Sequence, residues 1–387
     1  MHLTLFIIWG FHFTFPHLYQ LIFIISVLLS YKKYYKFSLY MILLIIMLPL
    51  FTLLTPFEYE LSEFIKSYLL LLHSYGFLLL VTFSLYKKPI LSINKMFKIF
   101  SQVFFIVAAF SIIQSISINV MKIEFLSYPF GSHSYLHQRT LDPMNTSFIG
   151  FGLFDWIRIQ GFYLEPSILG IILNLGLIFE LFLVRKRSLL LITILLIAQL
   201  LAFSSSALIF IMLIFLFFIV YKHTNIKIKL ISIILAIPIF ASLFLGAISR
   251  LFALNVVDSS AWRRILFPIL IIFQDFNLGF MGHPLGSVQY YIKNSYLDSA
   301  YSTIDSGLYL LIFHFGILAI LFFAILFFYA IKSFNNDFMK GTLLFFIIYF
   351  LFTSNAWTPE FATYVTTIVL FYKLHKYNNS QYKQLYI

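Results

Sequence analysis

The chain has no cysteine among its 387 residues, which removes disulfides, thiolate nucleophiles and cysteine-ligated metals from consideration. Charge is nearly as scarce. Only 10% of residues are Asp, Glu, Lys or Arg, against about 25% in an ordinary soluble domain. No P-loop or dinucleotide fingerprint occurs, so no nucleotide cofactor is implied. The start of the chain lacks a basic region and a small-residue cleavage site. Residues 3–29 therefore read as a retained first span, unusual in holding His12, Pro16, His17 and Gln20.

Apolar side chains fill the space that charge leaves. Hydrophobic residues make up 61% of the chain, and the mean hydropathy is +0.96. No water-soluble fold hides that much apolar surface, so the bilayer is the solvent for most of it. The formal charge is +12. In a soluble protein that excess would point to nucleic acid. Here the lysines sit in short clusters between apolar runs, which is a topology signal, and no nucleic-acid partner is expected.

Crossing the hydrocarbon takes about 20 mainly apolar residues. The runs that qualify, or nearly so, are 3–29, 38–55, 64–86, 97–118, 166–184, 188–203, 206–221, 229–247, 306–331, 341–354 and 360–373. The fold class expected is thus an all-α polytopic membrane protein of about eleven transmembrane helices, forming one integral membrane domain over 1–387. With the first residue outside, 18 of the 26 Lys and Arg fall in inner loops. Every inner loop is basic, which fixes the orientation and puts the C-terminus in the cytoplasm. Of the 14 acidic residues, only Glu180 and Asp337 lie on or near the inner side.

Two outer segments are long, about 121–165 and 248–305. Long loops in a compact protein are usually functional. Both are rich in aromatic residues and hold arginine, so they read as folded caps at the membrane surface. In the second, Ser259 or Ser260 caps a helical stretch. Its apolar run Ile265–Phe273 holds Pro268 and is too short to span; it reads as an interfacial helix.

The string Arg158-Ile-Gln-Gly161-Phe-Tyr-Leu-Glu165-Pro166-Ser167 carries the most chemistry. Arg158 is a cation at the outer surface. Gly161 permits a turn or a close approach by a ligand. Pro166 suits the first turn of the next helix, and Glu165 sits where the helix dipole favours its ionised form. The plainer reading is an interfacial anchor pair beside a capped helix. The second string is Gly279-Phe-Met-Gly282-His283-Pro-Leu-Gly286-Ser287. Its backbone N–H groups could wrap an anion, and His283 could exchange a proton near neutral pH; the plainer reading is a turn with an exposed histidine. The remaining outer guanidinium groups are Arg139, Arg250, Arg263 and Arg264. Their planar forks suit phosphate, though contact with anionic headgroups would also explain them. His133 and His137 lack an evident third ligand, so no metal site is expected. Ser204, Ser205 and Ser206 have no recognisable His and Asp partners for a hydrolase.

Together these residues give a resemblance. Arg158, Gly161, Glu165 and Pro166, then the serine turn Phe203–Ser206, the glycine loop Gly279–Ser287 and Asp305-Ser306 before a span with Gly316 follow an order that resembles the Wzy-type O-antigen and capsule polymerases and the related ligases. The match covers roughly 150–330, and no arginine follows the serine turn as it often does there. The resemblance implies a glycosyltransferase of the bacterial inner membrane, acting at the outer leaflet with its large loops periplasmic or extracellular. It would take a glycan from undecaprenyl diphosphate to an incoming lipid-linked repeat unit, or in a ligase to another acceptor. It implies no cofactor. Membrane lipids are partners, and a chain-length regulator is left open. On this reading Arg158, Glu165 and His283 are catalytic candidates, with Arg139, Gly161, Arg250, Arg263, Arg264 and Gly282 holding substrate. A flippase is the reading from another class, but flippases place charge within their spans and this chain places it in outer loops. The topology can be checked directly. A reporter fused after residue 225 should read cytoplasmic and one at 290 external; the reverse at either point overturns the map.

Overall fold

The computed structural model describes residues 4–8, 11–14, 20, 47, 60–87, 93–121, 123, 159, 161, 166–184, 187–202, 204–222, 266–274, 282–293, 304, 306–353 and 359–385. In chain order the elements are strands β1 (Thr4–Ile8) and β2 (Phe11–Thr14) and helices α1 (Leu61–Lys87) and α2 (Ile93–Ser115), α2 continuing as a π-helical turn over Ile116–Val120. Next come α3 (Pro166–Ile178), continued by a π-turn over Phe179–Leu183, α4 (Leu189–Ala202), α5 (Ser205–Lys222) and α6 (Phe267–Gln274). The last are α7 (Val288–Lys293), α8 (Gly307–Phe315), α9 (Ile317–Asn336), α10 (Phe338–Thr353) and α11 (Pro359–Leu385).

Most expected spans in the described residues coincide with these helices. Two places differ. The first is the start of the chain, where a helical span was expected. β1 and β2 instead pair antiparallel, Ile8 opposite Phe11, Ile7 opposite His12 and Phe6 opposite Phe13, with an irregularity between Thr4 and Phe6. Both strands are built from β-branched and aromatic residues, which favour extended backbone, and only Trp9 and Gly10 separate them. The second is the run 306–331, which is two helices. Gly316 breaks it at φ 51° and ψ −129°, a conformation that glycine adopts readily. The expected span 229–247 and, apart from Met47, the span 38–55 lie outside the described residues, as does the Ser259–Ser260 cap. α6 has Pro268 in its first turn, where the missing N–H costs nothing. It buries Phe267 and Ile271 in a core shared with α1, α7 and α8.

By length and composition, Lys95–Val120 and Ile317–Phe334 suffice to cross a membrane. Ser167–Leu183, Leu189–Ala202, Ala207–Val220 and Phe338–Phe352 are apolar but shorter, at 10–17 residues. α9 exposes Leu318, Leu321, Phe322, Ile325 and Phe328 along its length, as a helix facing lipid would.

The chain divides into two compact units, Met1–Leu3 with Leu91–Ala253, and Thr4–Ile90 with Leu254–Ile387. In the first, α2, α3, α4 and α5 pack together. Phe179 centres an aromatic cluster with Phe97, Phe100 and Phe104, ring centroids 5.5, 5.5 and 5.8 Å away. Beside it the buried Glu180 carboxylate accepts from Ser101 Oγ and the Ser188 N–H, both at 3.3 Å. Ser188 Oγ in turn accepts from the Leu191 N–H at 3.2 Å, capping α4. Arg187 donates to the Leu181 carbonyl at 3.2 Å, satisfying the end of the π-turn, and its guanidinium lies 4.8 Å from the Phe218 ring centre. In the second unit, α1 packs on α11, α11 on α10, α10 on α9 and α8 on both α9 and α10. Asp337 caps α10 through the Lys340 N–H at 3.1 Å and accepts from Tyr372 Oη at 2.9 Å.

Small residues let the helices of the first unit approach closely. At Gly170 of α3, an added Cβ would fall 2.3 Å from the Ala207 Cβ of α5. Gly170→Leu should therefore lower stability by about 1–3 kcal/mol, read as a lower unfolding midpoint in detergent. Gly76→Ala is the control. A Cβ there meets nothing within 4 Å, so helix propensity alone should raise stability by about 0.5–1 kcal/mol. Equal midpoints for the two variants would discount the close crossing.

Candidate functional site

The C-terminal end of α2 is unusual for a membrane helix. Ser111, Gln114, Ser115, Ser117 and Asn119 are all buried there. Spacings of three and four residues put Ser111, Gln114, Ser115 and Asn119 on neighbouring stripes of one side. Each has to find a partner inside the protein, because hydrocarbon supplies none. Ser111 Oγ donates to the Val107 carbonyl at 2.8 Å, and Asn119 Nδ2 to Ser115 Oγ at 3.3 Å. The π-turn over Ile116–Val120 closes with Met121 N donating to the Ile116 carbonyl at 3.0 Å. Ser117 then holds Ile123 from both sides: its Oγ donates to the Ile123 carbonyl at 3.2 Å and its own carbonyl accepts from Ile123 N at 2.9 Å. π-turns of this kind are frequent at functional sites.

Gln114 reaches into the Arg158–Pro166 string. The Gly161 N–H donates to Gln114 Oε1 at 2.8 Å, and Gln114 Nε2 donates to the Gly161 carbonyl at 3.4 Å. Gly161 sits at φ +61°, and a Cβ there would lie 3.0 Å from Ser111 Oγ and 3.1 Å from Leu169 Cδ1. The expectation of a turn at this glycine holds, and the close approach is by α2 and α3. Two residues earlier, buried Ile159 makes a long contact from its N–H to the Leu201 carbonyl at 3.5 Å. α3 begins at Pro166, as its fixed φ and missing N–H predict. Arg158 and Glu165 lie outside the described residues, as do Arg139, Arg250, Arg263 and Arg264.

The serine turn joins α4 to α5. Ser204 is buried, and its carbonyl accepts from the Leu208 N–H at 2.9 Å. Nearby, Asn174 Nδ2 donates to the Ala207 carbonyl at 2.9 Å. Asn174 Oδ1 and both amide atoms of the fully buried Gln199 have no hydrogen-bond partner among the described residues.

In the other unit, the loop around His283 is an interior wedge. Gly282, His283, Pro284, Leu285 and Ser287 are all buried, so His283 is not the exposed histidine of the plainer reading. The break at Gly316 explains why. A continuous helix would satisfy the Phe313 carbonyl with an N–H four residues on. With the helix ended, that carbonyl needs another donor. His283 supplies two: its backbone N–H at 2.9 Å and its ring Nδ1 at 3.1 Å. The His283 ring stacks on Phe313 at 4.2 Å with an 11° tilt. His314 Nδ1 in turn donates to the His283 carbonyl at 3.1 Å. Gly282, at φ +86°, has its open side against the His314 carbonyl, which a Cβ would approach to 2.2 Å. Gly286, at φ +81°, does the same against Glu63, 2.4 Å from its carbonyl. The Ser287 N–H is spent on the Pro284 carbonyl at 3.2 Å. Gly282 and Gly286 thus admit neighbouring backbone.

The structure therefore joins Gly161 to Gln114 in one unit, and Gly282 and His283 to His314 in the other. Sequence reasoning had treated 97–118 as a plain apolar span and passed over Gln114. The signal was present in Ser-Ile-Ile-Gln-Ser-Ile-Ser-Ile-Asn over 111–119, since polar residues inside a span are rarely idle.

A family model described as WcaD colanic acid polymerase matches residues 12–377, nearly the whole chain. The chain belongs to that family. The membership agrees with the resemblance to Wzy-type polymerases drawn from Arg158, Gly161, Glu165 and Pro166. No curated protein and no solved structure matches the chain.

The wedge makes a prediction independent of chemistry. His283→Ala removes one of the two donors to the Phe313 carbonyl and leaves the backbone N–H, so the lost bond should cost about 0.5–1.5 kcal/mol. The readout is the thermal unfolding midpoint of the purified protein in detergent. An unchanged midpoint would show that the Phe313 carbonyl does not need the ring.

Proposed function

We propose that this chain is a polysaccharide polymerase that transfers a glycan from undecaprenyl diphosphate to an incoming lipid-linked repeat unit at the outer leaflet. The observation that carries the reading is the family match over 12–377. A polymerase family implies a glycosyltransferase-type enzyme and a lipid-linked oligosaccharide substrate. The apolar spans and the basic inner loops support a membrane setting with the long loops outside.

In this reaction an acceptor hydroxyl oxygen bonds to the anomeric carbon of the donor glycan. The bond from that carbon to the diphosphate oxygen breaks, and its electron pair leaves with the diphosphate. The acceptor proton passes to a base. Negative charge therefore grows on phosphate oxygens, and fixed guanidinium groups lower the barrier by meeting it there. Arg158 is the group we assign to that role, with Arg250 as its partner and Arg139, Arg263 and Arg264 as further phosphate contacts. The pinning of Gly161 three residues away supports Arg158, because a charge that stabilises a transition state has to be held before the reaction begins. Glu165 is the base we favour. His283 is the other candidate, and its 2% exposure and its Nδ1 bond to Phe313 speak for Glu165.

Arg158→Ala should leave insertion and unfolding midpoint intact and abolish long polymer, leaving single repeat units on the lipid carrier. Loss of one such donor typically costs about 10²–10³ in rate. Wild-type chain lengths in this variant would remove Arg158 from the site. On deletion of the gene, polymer intact on the carrier but absent from its final acceptor would mark a ligase. A repeat unit held on the cytoplasmic leaflet would mark a flippase.

A further inference from the structure

We infer that Gln114 is the positioning residue for the segment that carries Arg158, an inference that rests on the assignment of Arg158 to the diphosphate. Gly161 turns the backbone at φ +61°, where it joins no helix or strand ladder. Its N–H and carbonyl are buried, and buried backbone groups need partners. A primary amide offers a donor and an acceptor side by side while remaining neutral at every working pH. Gln114 supplies both, at 3.4 Å and 2.8 Å, and so closes a two-bond ring like that between paired strands.

Three further features make the clamp stiff. Gln114 is 0% exposed, so water does not compete for either bond. Ser111, one turn back on α2, fills the space on the open side of Gly161, 3.0 Å from where a Cβ would stand. The π-turn begins at Ile116, two residues after Gln114, and resets the direction of the polar side chains that follow. Among the described residues of 150–165, the other backbone anchor is the 3.5 Å contact of Ile159, at the limit of a hydrogen bond. Among the described residues, Gln114 is thus the firmer tie on a stretch that lies, in sequence, within three residues of Arg158. The contrast with Gln199 is informative. It is just as buried, yet its amide makes no hydrogen bond among the described residues.

The test uses the full-length protein in detergent or vesicles. The substrate probe is the lipid-linked repeat unit that accumulates in cells lacking the chain. Gln114→Leu keeps similar bulk and loses both bonds. It should lower kcat roughly 10²-fold, the scale of an ångström's misplacement of a catalytic group, with KM changed far less. Gln114→Glu keeps the acceptor for the Gly161 N–H and should fall between Gln114→Leu and wild type. The deciding measurement is a double-mutant cycle with Arg158→Lys. If Gln114 acts through Arg158, either Gln114 substitution should cost much less in the Arg158→Lys background than in wild type. A merely structural role predicts the same fold-loss in both backgrounds, and that result overturns the clamp. Should Gln114→Leu fail to insert, the Gln114→Glu cycle decides by the same criterion. Full activity of Gln114→Leu beside an inactive Arg158→Ala also overturns the clamp and leaves the site reading standing. Wild-type activity of Arg158→Ala removes the site reading itself.

Discussion

A chain dissolved in hydrocarbon has to satisfy its own backbone, and this structure is organised around the places where helices stop doing so. An unbroken helix meets the demand internally. Each break exposes carbonyls and N–H groups that nothing in the lipid will bond. At Gly161 the missing partners come from Gln114. At Gly316 the Phe313 carbonyl takes the backbone and ring donors of His283. Where α3 gives way to α4, Glu180 takes the Ser188 N–H and Arg187 meets the Leu181 carbonyl. Among the described residues, several of the buried polar side chains of a very apolar chain serve these interruptions.

That distribution explains what was legible in the sequence. Long apolar runs separated by lysine fix the helices, because span length and cytoplasmic charge are direct physical requirements of the bilayer. α1, α2, α3, α4 and α5 lie where those requirements place them. The start of α3 at Pro166 and the turn at Gly161 were also legible, since each follows from one residue's backbone chemistry. The break at Gly316 was not, because an isolated glycine in an apolar run is compatible with a continuous helix. The strand pair Thr4–Ile8 with Phe11–Thr14 was missed for a related reason: its residues are as apolar as a span, and hydropathy does not report period.

The polar partners were harder still. Gln20 was singled out as odd within a span, and it proves to be buried, donating to Thr363 Oγ1 at 3.1 Å. The sequence separation is 343 residues, and no local pattern foretells such a pairing. Gln114 and Gly161 are 47 residues apart, and His283 and Phe313 are 30 apart. In the last two cases one partner carries a visible mark, a glycine or a misplaced polar residue, and the other is a backbone group that any residue would present. Local signals therefore show where a partner is needed and leave its identity to the fold.

The same constraint shapes how a polymerase in a membrane can hold its catalytic charge. An arginine on a loop open to water gains little from nearby dipoles and loses entropy whenever it is fixed. A loop tied to a buried helix face escapes that penalty in part, because the ordering has been completed during folding. The polar end of α2 is a tie of this kind: Ser111, Gln114 and Ser115 lie within the apolar core and receive Gly161, three residues after Arg158 in sequence. Burying an amide among apolar neighbours is costly unless both of its functions are met. Gln114 meets both on a single residue, so its placement stabilises the turn only while Gly161 keeps its left-handed conformation. Position and conformation are then coupled, and a displaced turn would leave a buried donor and acceptor unpaired on each side.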